Sequence, residues 1–180
     1  MPENWKLKDK TFTEYIKAAD LQAEIHKLAK QIEKDYEGKN PLFIVILNGA
    51  FIFAADLIKR VKIDCEIAFV RLSSYAGTNS TGKITEVIGL DNNIEGRSVI
   101  IVEDIVDTGL TLQHFIAILN QKQPAEIKIA TCLLKPEAFG DKFNIDYSCF
   151  RIPNEFVVGY GLDYDGLGRN SEDIYKITAQ

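Results

Sequence analysis

Cysteine and histidine are scarce in this chain of 180 residues, which contains three cysteines and two histidines. Cys65, Cys132 and Cys149 lack the close spacing of a zinc site, and their odd number in a chain expected to be cytosolic predicts reduced, buried thiols. His26 and His114 lie in helical patterns with no neighbouring Cys, Ser or His partner. The sequence therefore argues against a zinc centre and against Cys–His or Ser–His catalysis.

Positive charge and long apolar runs are also scarce. Lysine and arginine number 21 against 26 acidic residues, giving a net charge of −5, so the basic surface typical of nucleic-acid-binding proteins is missing. The polar N-terminus leads into no apolar segment, which predicts a chain without a signal peptide. The longest uncharged stretch, residues 40–55, is interrupted by Asn48-Gly49 and does not fit a membrane span. We therefore expect a cytoplasmic protein that binds neither nucleic acid nor membrane.

The most informative stretch, residues 99–119, joins an apolar strand to a helix. Residues 99–102 are consecutive β-branched residues without polar alternation, which is typical of a strand buried on both faces of a parallel sheet. Carboxylates follow at Glu103, Asp104 and Asp107, then a Thr-Gly-Leu-Thr turn, and then apolar residues at helical spacing. The pattern predicts a buried strand that opens into a helix through an acidic, hydroxyl-rich loop.

Such a loop suits a phosphorylated sugar. The first amides of a helix lack partners within it and carry the positive end of its dipole, so they bind phosphate. Gly109 allows the backbone to approach closely, and Thr108 and Thr111 offer hydroxyl groups. Carboxylates repel phosphate but suit sugar hydroxyls, a divalent metal or a developing positive charge. We predict a phosphosugar substrate, the alternative being a surface loop in which Asp107 only caps the helix.

Residues 102–111 resemble the phosphoribosyl pyrophosphate (PRPP) signature of the type I phosphoribosyltransferases. The resemblance implies that Glu103 and Asp104 hold the ribose hydroxyls, directly or through Mg²⁺. It also makes Asp107 the candidate general base for the nitrogen of the incoming base. The 5′-phosphate would be held by Asp107, Thr108, Gly109, Leu110 and Thr111.

A second apolar strand, predicted over residues 42–47, also ends in a tight turn before a helix. The turn at Leu47, Asn48 and Gly49 is either a plain connection or a second anion-binding backbone site. Its position matches the family's pyrophosphate loop, which binds through main-chain amides and often contains a non-proline cis peptide. Many relatives have a lysine at the position of Asn48, so the implied role here belongs to the backbone.

Two further segments match the family. Ser74 and Tyr75 lie in a polar run over residues 73–82 that is rich in Gly, Ser and Thr and is either a hairpin connection or a lid. The resemblance implies the catalytic lid, which excludes water from the reacting sugar. Lys135 follows a strand predicted at 127–134 and is either a solvated strand end or, by resemblance, the lysine that contacts the exocyclic oxygen of a 6-oxopurine.

Residues 156–169 resemble the C-terminal hood of the hypoxanthine/guanine branch of this family. The resemblance implies that Phe156 stacks on the purine and that Val157 binds the base edge through its main chain. It implies that Asp163 coordinates Mg²⁺ and that Arg169 clamps the pyrophosphate and takes part in catalysis.

An amphipathic helix precedes these motifs. Asp20 is its predicted N-cap, and Gly38 lies near its predicted end. Apolar residues recur between them at helical spacing, at Leu21, Ile25, Leu28, Ala29 and Ile32.

Alternating strands and helices from residue 41 to 134 predict an α/β fold with a mostly parallel, twisted sheet flanked by helices. This is the type I phosphoribosyltransferase fold that the resemblance implies. We expect residues 1–180 to form one domain, with a core over about 21–140 and a small hood from 1–20 and 145–180.

The resemblance implies an enzyme of purine salvage. It would transfer the phosphoribosyl group of PRPP to hypoxanthine, and to guanine, giving IMP or GMP and pyrophosphate, with Mg²⁺ as cofactor. Relatives are usually dimers or tetramers, so we expect a homodimer or homotetramer. Two alternatives remain: a phosphoribosyltransferase for another base, such as xanthine, and a non-catalytic regulator that senses PRPP. Lys135 argues against adenine, whose 6-amino group is a donor, and the negative net charge argues against a nucleic-acid-binding regulator.

Overall fold

The computed structural model describes residues 3–74, 84–140 and 142–178. The strands are β1 (Asn4–Leu7), β2 (Lys10–Ile16), β3 (Leu42–Leu47), β4 (Glu66–Ser74), β5 (Ile84–Ile88), β6 (Ser98–Val106), β7 (Glu126–Leu134), β8 (Tyr147–Arg151), β9 (Val157–Val158) and β10 (Ile174–Ile177). The helices are α1 (Ala18–Asp35), α2 (Phe51–Ile58), α3 (Leu110–Asn120) and α4 (Pro136–Phe139).

The main sheet has the strand order β5-β4-β3-β6-β7-β8. Its strands β4, β3, β6, β7 and β8 run parallel to one another, and β5 pairs antiparallel with β4 at the edge of the sheet. Successive side chains of β3 enter opposite cores. Phe43 and Val45 pack in the core that includes α1 and α2, whereas Leu42 and Ile44 pack in the core that includes α3. The predicted fold class is therefore confirmed, and burial on both faces explains why these strands show no polar alternation.

Helix α1 buries the face that the sequence predicts, but it begins and ends elsewhere. Leu21, Ile25, Leu28, Ala29 and Ile32 are all buried. The predicted N-cap at Asp20 is wrong, because the helix begins at Ala18, whose amide donates a hydrogen bond to the Asp173 carboxylate at 2.8 Å. A cap that comes from 155 residues away leaves no local sequence signal. At the other end, the helix stops at Asp35, ahead of Gly38.

The two ends of the chain form a second, antiparallel sheet with the order β1-β2-β10-β9. Phe12, Val158 and Tyr175 form its buried centre. This sheet is the predicted hood. The hood range proposed from the sequence also contained β8, which instead forms the edge of the main sheet.

All three cysteines are free. Cys132 is buried, whereas Cys65 and Cys149 are partly exposed, so the prediction of buried thiols is right for one of the three. Among the described residues, no helix is both long enough and apolar enough to cross a membrane.

Candidate active site

The carboxyl ends of β3, β6 and β7 lie side by side, because these strands are parallel neighbours in the main sheet. Each is followed by a segment that the sequence singled out: the turn at 47–49 after β3, the acidic loop after β6, and Lys135 after β7. This edge is where α/β sheets bind their ligands.

The loop after β6 forms an open pocket at the start of α3. The pocket has a volume of about 140 Å³ and is lined by residues 103 and 105–112. Gly109 precedes α3 with φ of +70°, and a Cβ there would lie 2.8 Å from the Phe139 ring, so the position requires glycine. The first helical hydrogen bond runs from the Gln113 amide to the Gly109 carbonyl. The amides before Gln113 therefore have no partner within the helix and can bind an anion.

Asp107 and Lys135 form an ion pair at this edge. Lys135 Nζ lies 2.8 Å from Asp107 Oδ2, and the lysine is only 6% exposed whereas the Asp107 side chain is 47% exposed. Two alternatives are therefore wrong: Asp107 does not cap α3, whose N-cap is Gly109, and Lys135 is not a solvated strand end. A buried ammonium needs a partner, which Asp107 supplies here. The ion pair therefore puts the candidate general base, Asp107, in contact with the residue predicted to bind the purine oxygen, Lys135.

Glu103 and Asp104 are consecutive residues near the end of β6, and both are partly buried. Burial, and then the neighbouring charge of Asp104, raise the pKa of Glu103 well above its ordinary value. Burial also raises the pKa of Asp104 to about 6, although hydrogen bonds from the backbone amides and the positive charge of Arg169 act in the opposite direction. Burial outweighs these groups, so an added cation or hydroxyl donors would further favour the ionised form of both carboxylates.

The turn after β3 touches Asp104 with no room for a side chain. The Leu47–Asn48 peptide bond is cis. A Cβ on Gly49 would lie 1.7 Å from Asp104 Oδ2. On its other side, a Cβ on Gly161 would lie 2.1 Å from the Gly49 carbonyl oxygen. Two glycines thus allow the turn, the end of β6 and the C-terminal loop at residues 159–169, the tail loop, to meet.

The tail loop holds Arg169 against Asp163. Arg169 Nη2 lies 2.6 Å from Asp163 Oδ1, and Nη1 donates to the Gly161 carbonyl at 2.6 Å. The second oxygen of Asp163 accepts a hydrogen bond from the Gly166 amide at 2.7 Å. The charges of Arg169 and Asp163 both act on Asp104. The structure therefore brings these two tail residues to the acidic end of β6.

Phe156 presents an open aromatic face at the start of β9. Phe156 is 45% exposed, and its ring centroid lies 5.9 Å from that of Tyr164, which it meets edge-on, and 6.2 Å from that of Phe12, to which it is tilted. Val157 is buried in β9. The two supporting rings were not predicted from the sequence, although Tyr164 lies within the tail motif.

The predicted lid lies almost wholly outside the described residues. Ser74 ends β4, and Tyr75 is outside the described ranges. Their catalytic role stays a prediction. Within the described ranges, no three His, Cys, Asp or Glu side chains converge closely enough to enclose a metal ion by themselves.

A comparison with family models matches residues 13–165 to a phosphoribosyl transferase domain. The chain belongs to the phosphoribosyltransferase family. The hypoxanthine-guanine phosphoribosyltransferase of Streptococcus pyogenes serotype M3 is 46% identical over 152 residues, covering 84% of each chain. A crystal structure of a hypoxanthine-guanine phosphoribosyltransferase from Bacillus anthracis, with a HEPES molecule in its active site, superposes with a TM-score of 0.85 at 40% identity, covering 92% of this chain and 96% of that one.

A second solved phosphoribosyltransferase gives the same result. The hypoxanthine phosphoribosyltransferase of Staphylococcus aureus superposes with a TM-score of 0.87 at 38% identity, covering 92% of this chain and 90% of the other. The family and the fold predicted from the sequence are therefore both confirmed.

Asp104 gives a testable consequence for this phosphoribosyltransferase. Its pKa of about 6 exceeds the ordinary 3.8, so ionisation lowers the stability of the folded protein as the pH rises between those values. Asp104→Asn removes that charge and should raise the free energy of unfolding at pH 8 by about 1–3 kcal/mol, a range discounted for partial solvent exposure. Urea unfolding at pH 8 measures this gain, which should be roughly halved at pH 5.

The matched control is Asp91→Asn, at an exposed residue before β6, which should change stability by less than about 0.5 kcal/mol at either pH. An Asp104→Asn protein no more stable than wild type at pH 8 would contradict the electrostatic description of this edge.

Proposed function

We propose that this protein transfers the 5-phosphoribosyl group of PRPP to a 6-oxopurine, hypoxanthine or guanine, and releases pyrophosphate. The observation that carries the proposal is the Asp107–Lys135 ion pair beside the phosphate-binding loop. It combines a buried hydrogen-bond donor with a half-exposed carboxylate, next to helix amides that can hold a phosphate.

The ammonium of Lys135 favours an oxygen over an amino group at the purine 6-position. An exocyclic oxygen accepts its hydrogen bond, whereas the amino group of adenine would face it with a second donor. The relatives are named hypoxanthine-guanine or hypoxanthine phosphoribosyltransferases, and these names support hypoxanthine and guanine over xanthine and an enzyme over a regulator. Phe156, whose face is open, is suited to stack on the purine, and the main chain of Val157 is suited to bind its edge.

The phosphosugar would lie along the end of β6. The amides that open α3 and the hydroxyls of Thr108 and Thr111 are suited to the 5′-phosphate. Glu103 and Asp104 are suited to accept hydrogen bonds from the ribose hydroxyls. Their negative charge would stabilise the positive charge that develops on the sugar as the bond to pyrophosphate breaks.

The pyrophosphate would leave between the turn at Asn48-Gly49 and the guanidinium of Arg169. Backbone amides and an arginine fork both suit phosphate oxygens. Mg²⁺ fits this edge, because Glu103 and Asp104 have raised pKa values and would gain from a cation. Glu103, Asp104 and Asp163 would hold Mg²⁺ together with substrate oxygens and water. When bound, Mg²⁺ would neutralise charge on the diphosphate.

Asp107 would accept the proton that the purine nitrogen loses. As the nitrogen forms its bond to the anomeric carbon, the carbon–oxygen bond to pyrophosphate breaks and the proton moves to the carboxylate of Asp107. Lys135, its partner in the structure, would turn to the purine oxygen. The proposal includes three further predictions from the sequence. These are a lid at Ser74 and Tyr75, a cytoplasmic location and a single domain made of a core and a hood.

We further propose a homodimer or homotetramer, because β4 carries an open apolar face. Ile67 and Phe69 point to the same side of this strand and are 45% and 49% exposed. Sedimentation should give a mass two or four times the 20.2 kDa of the chain, and Phe69→Glu should shift it toward the monomer. A wild-type protein that sediments as a monomer at micromolar concentration would contradict this part of the proposal.

The activity is tested by steady-state assay with PRPP and Mg²⁺, offering hypoxanthine, guanine, xanthine and adenine in parallel. Hypoxanthine or guanine should be converted and adenine should not. Asp107→Asn should lower kcat/KM by roughly 10²–10⁴-fold, because the carboxylate can no longer accept the proton. Asp20→Asn, in the exposed first turn of α1, is the matched control and should match wild type.

The alternatives give different results in the same assay. Preferred turnover of xanthine would replace the base in the proposal. Binding of PRPP without turnover of any base would overturn the enzyme and favour the regulator.

A further inference from the structure

Tyr160 is a buried residue at the start of the tail loop, with a backbone conformation that tyrosine rarely adopts. Its φ is +51° and it is 3% exposed. Its hydroxyl donates a hydrogen bond of 2.6 Å to Asp56 Oδ2. Because Asp56 lies on α2, this bond joins the tail to a helix 104 residues earlier in the chain. The hydroxyl is thereby bonded to α2 and not to the proposed ligand site. The sequence alone did not single out Tyr160.

Asp56 is the centre of a small polar network. Besides Tyr160, it accepts hydrogen bonds from Gln22 Nε2 and contacts Lys59 Nζ, each at 2.9 Å. Burial alone would raise the pKa of Asp56, but the hydrogen bonds of Tyr160, Gln22 and Lys59 outweigh it and hold the pKa below its ordinary value. Asp56 is therefore a charged acceptor fixed to α1 and α2, which makes the bond from Tyr160 a strong one.

This bond connects the two segments proposed to hold pyrophosphate. Helix α2 begins directly after the turn that contains Asn48 and Gly49. Tyr160 directly precedes Gly161, whose carbonyl accepts the hydrogen bond of Arg169 and whose amide donates to the Arg169 carbonyl at 2.9 Å. The turn and the tail loop therefore meet at two places. They touch directly at Gly49 and Gly161, and the hydrogen bond from Tyr160 to Asp56 joins the tail loop to the helix that follows the turn.

We propose that Tyr160 and Asp56 are positioning residues for pyrophosphate, whose hydrogen bond sets the separation between the backbone amides at 48–49 and the guanidinium of Arg169. The inference rests on the proposed function. Neither side chain touches the substrate in this account. Both act through the two segments that they join, so the loss of their bond should weaken pyrophosphate and PRPP selectively and leave the purine site unchanged.

The chain offers a matched control for a purely structural role. Tyr147, on β8, is also buried, and its hydroxyl donates to Asp35 Oδ2 on α1 at 2.9 Å. Tyr147→Phe and Tyr160→Phe each remove one tyrosine–aspartate hydrogen bond and keep the aromatic ring. Only Tyr160 is adjacent to the segments proposed to hold pyrophosphate.

The experiment measures the Kd of pyrophosphate in the presence of Mg²⁺ by calorimetry, the KM values of PRPP and hypoxanthine, and urea unfolding. Tyr160→Phe should weaken pyrophosphate and PRPP about tenfold, because the amides at 48–49 and the guanidinium of Arg169 would no longer keep the separation that the diphosphate needs. The KM of hypoxanthine should stay within about twofold. Tyr147→Phe should lose comparable stability and bind pyrophosphate as wild type does. Asp56→Asn, which keeps an acceptor, should have a smaller effect than Asp56→Ala.

The outcomes separate this inference from the proposed function. An active wild type with pyrophosphate affinity unchanged in Tyr160→Phe, or equally weakened in Tyr147→Phe, would overturn the inference alone. A wild type that neither binds pyrophosphate nor converts PRPP would overturn the proposed function and the inference with it.

Discussion

The backbone contact at Gly49 is the constraint on which the rest of the site depends. Its Cα faces the Asp104 carboxylate so closely that a Cβ would lie 1.7 Å from an oxygen, and its carbonyl faces Gly161 with similarly little space. Three segments distant in sequence are thereby brought to one edge of the sheet: the turn at 47–49, a pair of carboxylates and a loop with an arginine. A side chain at either glycine would separate them.

The charged groups at this edge of the sheet are in surroundings that a bound ligand would make more favourable. Glu103 and Asp104 are consecutive, partly buried residues of β6, and both have raised pKa values. Lys135 is buried and paired with Asp107, and in the proposed reaction Lys135 would leave this carboxylate for the purine oxygen. Groups held in unfavourable surroundings are common at functional sites. The two apolar cores on either face of the main sheet stabilise the fold that holds them in place.

Local sequence pattern was sufficient where one stretch of chain decides its own structure. The uninterrupted apolar runs of β3 and β6 predicted buried parallel strands, and the spacing from Leu21 to Ile32 predicted the buried face of α1. Local pattern did not predict the structure where a residue distant in sequence determines it. Asp173 caps α1 in place of Asp20, and Asp107 pairs with Lys135 instead of capping α3.

The long-range contacts of the tail were beyond the reach of pattern for the same reason. No periodicity links Tyr160 to Asp56, and nothing local to Gly161 reveals that it packs on Gly49. The resemblance to a family carried the roles of the tail residues, which composition and spacing alone would not have suggested. The pairing of the two chain ends in the hood is a further contact of this kind.

The most direct measurement is a crystal structure of the protein with PRPP and Mg²⁺ bound. We predict the 5′-phosphate on the amides at the start of α3 and the pyrophosphate between the turn at Asn48-Gly49 and Arg169. A ligand bound in the reverse direction, or phosphates that touch neither glycine-containing turn, would contradict this prediction.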